Sequence, residues 1–426
     1  MKKQKLTNEQ IIKLKKTKKP PHLIYNVLGG IWKLLFFKKY GVSVKFNYDF
    51  RKEKGPYFFF SNHTSRLDYI FVGVPLLPNT YNFVAGHNEF YRSHLKGVFN
   101  LLNVIPKKNF TPDSYTLKEI SRIIKNNGKI ILFPEGMNSI AGMNQPVAIG
   151  TGKLVKHFKI PVYYSVISGG YMTTPKYAED ERFGKVEVVF DKMFSAEDIE
   201  KLSPEEIEDI INEKLYHDDF AWNAQRKIRY KNDGNIAKNM HHLLFWCPKC
   251  NSQFSMVGEK DKIYCTSCKN GATLDDTYTL LPFDENCVIP STVSAWFNEQ
   301  RELIKNEVKD PNFSFSAKVK LGVLPQHGPL TDGKTSLIVG EGVAKIDRSG
   351  FSFTGTKDGK EYSFFIKSSD VPTYGMCTDM SRFYTFIDGN FVEFYPYEPC
   401  VEKFFLATEE IHRLNGGRWQ DFKFKK

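Results

Sequence analysis

The sequence predicts an α/β domain, a mostly parallel sheet flanked by helices, followed by a small cysteine-stapled domain and a β-rich C-terminal domain. Three observations predict it. Two apolar runs in the first half, Phe58 to Phe60 and Ile130 to Phe133, each break abruptly into a polar turn, as buried strands do. Four later cysteines form two CxxC pairs, Cys247 with Cys250 and Cys265 with Cys268. Beyond about Asn286, alternating strand-like segments are punctuated by turns such as GTKDGK and DGN. The boundaries that follow are a basic amphipathic segment 1–40, the α/β domain 41–225, a linker 226–243, the cysteine domain 244–283 and the β-rich domain 284–426. A chain of 426 residues, 41% apolar and 15% aromatic, has ample core for two or three domains, which argues against disorder.

The formal charge of +12 calls for an anionic partner, either nucleic acid or anionic lipid. Position favours lipid. The opening MKKQKLTNEQIIKLKKTKK carries eight lysines and one glutamate and leads straight into HLIYNVLGGIWKLLFFKK. Leu23, Val27, Ile31 and Leu34 or Leu35 recur at helical spacing, so one face can enter lipid while the lysines meet headgroups, each adding about 1 kcal/mol. The same helix would also serve as an ordinary cover for the sheet. A helix from Leu23 to Phe37 reaches about 22 Å, short of the ~30 Å hydrocarbon core. It therefore lies on a bilayer, and no later run is long enough to cross one. No small-residue cleavage pattern follows it, which argues against a signal peptide.

In FFFSNHTSRLD, His63 stands at the end of a strand and Asp68 five positions on. If Ser65 starts a helix, Asp68 falls in its first turn and folds back toward the imidazole. Neutral imidazole takes a proton near neutrality, and a carboxylate on one ring nitrogen fixes the tautomer and stabilises the cation. The alternative is a turn histidine beside a helix-capping aspartate. The second strand, IILFPEGMNS, breaks at Pro134, Glu135 and Gly136. Two such strands in a parallel sheet open on one edge, where ligands bind in folds of this kind.

A strand ending in Asn-His, then four residues, then Asp, with Phe-Pro-Glu-Gly further along, resembles the PlsC-type glycerolipid acyltransferases. The likeness covers roughly residues 20 to 220. It implies transfer of a fatty acyl group from a thioester, acyl-CoA or acyl carrier protein (acyl-ACP), to a hydroxyl of a membrane lipid precursor. It makes His63 and Asp68 catalytic. Substrate binding falls to Asn62, Arg66, Lys107, Lys108, Glu135, Gly136, Ser139 and Lys153, with Glu135 either binding acceptor hydroxyls or holding the site together. Backbone N–H groups near His63 or Gly136 would serve the oxyanion. The chain departs from the family in two places. After the second-motif strand, Lys107 and Lys108 stand where an arginine is usual, and lysine meets phosphate as a point charge without the bidentate fork. Where the family continues Thr-Arg-Ser, this chain has Met137, Asn138 and Ser139. That removes a phosphate partner and leaves the acceptor open: a lysolipid read by Lys107, Lys108 or Lys153, or a lipid without a bare phosphate.

Further elements follow from pattern. A strand precedes Asn88, a helix follows it, and a short strand ends at Ile105 and Pro106. Tyr115 to Asn127 reads as a helix with Leu117, Ile120, Ile123 and Ile124 on one face, and Gly150 to His157 as another. IPVYYSVISGG and GKVEVVFDKMF are strands. Ser195 and Ser203 are helix caps, the second a capping box with Glu206 and Pro204 at the first helical position. His217, Asp218 and Asp219 have metal-ligand chemistry but read as a solvated helix end.

The two CxxC pairs, with fourteen residues between the inner cysteines, resemble a zinc ribbon with strands through Phe254 to Val257 and Lys262 to Tyr264. Four thiolates fill a tetrahedral zinc, so the metal would be structural, a staple for a domain with little core. Cys287, Cys377 and Cys400 read as core thiols. Zinc ribbons often bind nucleic acid, yet this one shows no aromatic-and-basic surface, and nucleic acid is disfavoured. In the C-terminal third FSFSAKVKLGVL, TSLIVGEGVAKI, GFSFTGTKDGKEYSFFI, SRFYTFIDGNFVEFYP and VEKFFLA read as strands, with helices at Trp296 to Val308 and Ala407 to Leu414, a pattern resembling pleckstrin-homology-like modules. The expected protein is a peripheral or monotopic enzyme on the cytoplasmic face of the cell membrane. The rival readings are a catalytically silent lipid-binding protein and a nucleic-acid binder.

Overall fold

The Phe58–Phe60 run is the axis of the first sheet. In the computed structural model, which describes residues 5–417, Phe58 and Phe60 point to one face and Phe59 to the other, and all three are fully buried. The start of the basic segment (1–4) and the end of the β-rich domain (418–426) lie outside the described residues. The strands are β1 (Val42–Phe46), β2 (Tyr57–Ser61), β3 (Asn82–Gly86), β4 (Ile105–Lys107), β5 (Lys129–Leu132), β6 (Val162–Ser168) and β7 (Val186–Phe194). Their order is β1-β7-β6-β2-β5-β3-β4. Every pairing is parallel except β6 with β7. β6, β2, β5, β3 and β4 therefore run together and end on one edge of the sheet. His63, Glu135, Lys107 and Gly169 follow or close those strands there.

One face is covered by the helices Ser114–Lys125, Thr151–Phe158 and Pro204–Leu215, whose Ile120, Ile123, Val155, Ile207, Ile211 and Leu215 pack on Phe58, Phe60 and Ile130. Leu117, expected on that face, is 49% exposed. Ser195 and Ser203 each close a full capping box, with Asp198 and Glu206. The other face is covered by the helix Asp68–Gly73 and the N-terminal segment. In that segment a short helix, Asn8–Leu14, precedes a longer helix, His22–Trp32, that runs into a π-helical turn, Lys33–Phe37. Its inward residues, Tyr25, Leu28, Trp32 and Phe36, pack on the domain, while Leu23, Val27, Ile31, Leu34 and Leu35 point outward. Leu23 is 75% and Leu34 82% exposed. Among the described residues no helix is long and apolar enough to cross a membrane.

A four-stranded antiparallel sheet follows, β8 (Met256–Glu259), β9 (Lys262–Cys265), β10 (Gly271–Leu274) and β11 (Leu280–Pro282). Its first strand starts two residues later than Phe254, which instead has a left-handed backbone, φ 58°, and stacks on Phe245. The last sheet contains β12 (Ser314–Val323), β13 (Leu337–Asp347), β14 (Gly350–Lys357), β15 (Lys360–Lys367), β16 (Gly375–Met376), β17 (Phe383–Ile387) and β18 (Asn390–Pro396), all antiparallel, ordered β15-β14-β13-β12-β18-β17-β16. VEKFFLA is not a strand: the helix Val401–Leu414 runs through it. Val401, Phe404, Phe405 and Ile411 keep a helical spacing that a seven-residue apolar fragment cannot distinguish from strand.

Residues 226–243 are packed rather than loose. Tyr230, Ile236, Ala237, Met240 and Leu243 are buried in a cluster that also holds Met137 and Ile140 from the segment after β5, Cys247 and Cys265, and Phe351 and Phe404. One hydrophobic core thus runs from the end of β5 into the C-terminal sheet.

Candidate active site

The chain turns sharply after β2 because Asn62 has no strand partner left. Its side chain clamps the end of β6 instead, donating to the Ile167 carbonyl at 2.9 Å and accepting from the Ile167 N–H at 2.7 Å. His63 follows, and its Nδ1 lies 2.8 Å from Asp68 Oδ2. Asp68 is fully buried while the His63 side chain is 24% exposed, so the orienting carboxylate is shielded and the imidazole is reachable. The helix begins at Asp68, not at Ser65. The Thr64 and Ser65 N–H groups donate to Asp68 Oδ2 at 2.6 and 2.9 Å, and both hydroxyls donate to Oδ1 at 3.0 and 2.8 Å. Those donors are committed to the carboxylate instead of a helical turn, and they saturate it as an anion. With Asp68 accepting, His63 Nδ1 carries the proton and Nε2 is left with its lone pair. The ring lies on Phe133, centroids 4.5 Å apart.

Glu135 is fully buried and spans the two turns. It accepts from the His63 N–H at 2.7 Å, the Gln145 N–H at 2.8 Å and Asn144 Nδ2 at 3.0 Å. Burial pushes its carboxyl up to about 8 against the pull of these donors, with the charge of Asp68 adding to the rise. Gly136, at φ 78°, reverses the chain where a side chain would meet the Phe110 ring at 3.1 Å. Its N–H donates to the Phe133 carbonyl and its carbonyl accepts from Asn109. Ser139 is buried, its N–H on the His63 carbonyl at 2.6 Å and its hydroxyl on the Met143 carbonyl. Asn62, Glu135 and Ser139 thus gather at His63, with Gly136 in the turn beside Glu135, and all four are engaged with protein groups.

The cations divide. Arg66 donates to the Glu179 and Asp180 carbonyls from the turn after β2. Lys108 is tied to Glu9 at 3.1 Å and to the Gly389 carbonyl at 2.6 Å. Burial raises the Glu9 carboxyl, but His87 and Lys108 together hold it well below the usual carboxylate range. Lys107 is half-buried, and its desolvation lowers the amine below the ordinary value. Lys153 is exposed on the helix Thr151–Phe158, outside this network.

Sequence reasoning missed several supports. Asp219 is fully buried, not solvated: it accepts from the Gly169 and Tyr171 N–H groups at 2.6 and 2.8 Å and lies 2.8 Å from His217 Nε2. It thereby holds the turn after β6 against the loop that carries His63, where a side chain on Gly170 would strike Thr64 Oγ1. The hydroxyls of Thr64 and Ser65, both legible between His63 and Asp68, were the available signal. Lys176, buried beside Asn138, gave none.

The four sulfurs of Cys247, Cys250, Cys265 and Cys268 lie within 4.8 Å of one another. Two pairs are 3.6 and 3.8 Å apart, close to the ~3.8 Å sulfur–sulfur edge of a tetrahedron with metal–sulfur bonds near 2.3 Å. Ser252 and Asn270 lie against these sulfurs, the contacts expected around a thiolate cluster.

Residues 43–168 match the family model described as Acyltransferase. No curated protein matches the chain. Among solved structures, the 1-acyl-sn-glycerophosphate (LPA) acyltransferase PlsC from Thermotoga maritima is similar at 19% identity and a TM-score of 0.37, over 46% of this chain and 78% of that one. Residues 43–168, from β1 to the end of β6, thus carry an Acyltransferase domain, and the Asn-His and Phe-Pro-Glu-Gly motifs both lie inside it.

Proposed function

We propose that the protein is a glycerolipid O-acyltransferase that moves a fatty acyl group from acyl-CoA or acyl-ACP to the hydroxyl of a lysolipid such as lysophosphatidic acid. The observation that carries the reading is the 2.8 Å contact between an accessible imidazole and a buried, donor-saturated carboxylate. His63 Nε2 takes the acceptor's hydroxyl proton as the oxygen attacks the thioester carbonyl. The tetrahedral intermediate collapses, the C–S bond breaks, and the thiolate leaves with the proton from the imidazolium, giving an ester and a free thiol. Asp68 holds the tautomer and stabilises the imidazolium. Glu135 ties the His63 backbone to the turn after β5, a positioning role that its three internal donors favour.

The exposed stripe Leu23, Val27, Ile31, Leu34 and Leu35, flanked by lysines, favours docking on anionic lipid at the cytoplasmic face of the membrane. Cys247, Cys250, Cys265 and Cys268 fit a structural zinc, which would cross-link the ribbon and take no part in the chemistry. Purified protein, acyl-CoA or acyl-ACP and a panel of lysolipids test the assignment. His63→Ala should lower turnover by ~10³-fold or more, and equal turnover in both proteins would remove His63 as the base.

A further inference from the structure

The arginine expected after Phe-Pro-Glu-Gly is Asn138, and the structure places another cation against it. Lys176, in the loop after β6, is 3% exposed, and its Nζ donates to Asn138 Oδ1 at 2.6 Å. Asn138 precedes Ser139, whose N–H is bonded to the His63 carbonyl, so this ammonium stands beside the catalytic turn. Among the described residues no carboxylate lies within ion-pair distance of it. The three acidic groups that influence it, Cys377, Glu89 and Asp379, have partners of their own, the Cys377 thiol lying against Asp379. Glu89 pairs with Arg92 at 3.3 Å, and Asp379 accepts from Ser381 Oγ at 2.6 Å with Arg382 at 3.7 Å. Burial lowers the Lys176 amine to about 8, and the charge of the Arg66 guanidinium adds to the fall.

A buried ammonium with one neutral hydrogen bond is costly to keep unless an anion arrives to compensate it. The C-terminal domain closes the outer side of this region. The Asp379 N–H donates to the Lys176 carbonyl at 2.8 Å, and the Cys377 thiol lies 3.1 Å from Asp379. Lys108, by contrast, is already neutralised by Glu9.

Building on the acyltransferase reading, we propose that Lys176 receives the phosphate of the acceptor lipid, in a headgroup subsite assembled between the catalytic edge and the 377–382 turn of the C-terminal domain. Asn138 positions the ammonium, and the subsite is incomplete without the C-terminal domain. The phosphate belongs to the acceptor rather than to the donor's coenzyme.

The full-length protein tests this with lysophosphatidic acid and monoacylglycerol as paired acceptors. Lys176→Met should raise the KM for lysophosphatidic acid at least tenfold while leaving monoacylglycerol and the KM for acyl-CoA unchanged, and Lys176→Arg should recover most of the loss. Equal losses on both acceptors, or a raised KM for acyl-CoA alone, would overturn it. In the wild type, inorganic phosphate should compete with lysophosphatidic acid and not with acyl-CoA, an arm that does not depend on a variant folding. Inorganic phosphate should also raise the melting temperature of wild type and not of Lys176→Met, a readout that needs no turnover, and no shift in wild type would overturn the subsite. Absence of all turnover alongside that shift would instead sink the acyltransferase reading and leave the anion site standing.

Discussion

At His63 the division of labour is between a reachable ring and an unreachable carboxylate. Asp68 has five protein donors including the imidazole, so the variant Asp68→Asn keeps the size but puts an NH₂ where N–H groups now point. The imidazole then loses its tautomer, and kcat should fall by ~10³-fold or more with little change in KM. Steady-state kinetics with matched melting curves checks this; a tenfold loss or less would assign Asp68 to the fold alone. Glu135 gives a stability signature instead. Its folded-state value near 8 lies above the ordinary 4.5, so the folded protein holds the proton more tightly than the unfolded chain does. The stability it contributes is full below about pH 4.5 and is lost as pH rises through about 8. The melting-temperature advantage of wild type over Glu135→Gln should therefore shrink between pH 5 and 8, and a constant difference would contradict the buried neutral carboxyl.

At the scale of elements, the N-terminal helix carries two messages on two faces. Tyr25 and Trp32 anchor it to the domain, so Leu23 and Leu34 can be changed without loosening the fold. Burying a leucine in an apolar environment is worth about 1.5–3 kcal/mol. Leu23→Glu combined with Leu34→Glu should lower partitioning onto anionic vesicles by ~100-fold in a flotation assay while leaving the melting temperature unchanged. Undiminished flotation would mean that the stripe does not meet lipid. This helix, the strand ends and the His63–Asp68 pair were legible in the sequence because each rests on local periodicity or on short spacing. The buried Asp219 and the cation at Asn138 were not, because each depends on contacts across tens or hundreds of residues, and the helix through VEKFFLA was not, because seven apolar residues fit either period. Lys176 reads as any surface lysine until the loop after β6 is folded against the turn after β5 and the C-terminal domain is laid over both. The positions assigned from the resemblance divide on the same principle: the residues around His63 fall together, whereas Lys108 is captured by Glu9, a residue no motif connects to it.

For the whole molecule, the question is whether the cysteine ribbon is a separable module. Its packing argues that it is not. Tyr278, in the loop between β10 and β11, reaches into the first domain, where its hydroxyl donates to the Met172 carbonyl at 2.8 Å and accepts from the buried Arg182 at 2.6 Å. The Tyr230 N–H donates to the Asp276 carbonyl at 2.7 Å, and Trp296 Nε1 donates to the Trp246 carbonyl next to Cys247. Cys247 and Cys265 belong to the same hydrophobic cluster as Met137 and Ile140. Loss of a zinc bound by the four thiolates would release the staple of a small sheet on which the rest of that core is stacked. Chelation at a concentration that strips structural zinc should therefore lower the melting of the whole chain in a single transition, and acyl transfer should be lost along that same curve. Cys250→Ser, which removes an exposed ligand and no core side chain, should reproduce the shift without chelator. Two separate transitions, with transfer surviving the first, would show that the domains fold independently and that the shared core carries less of the stability than its continuity implies.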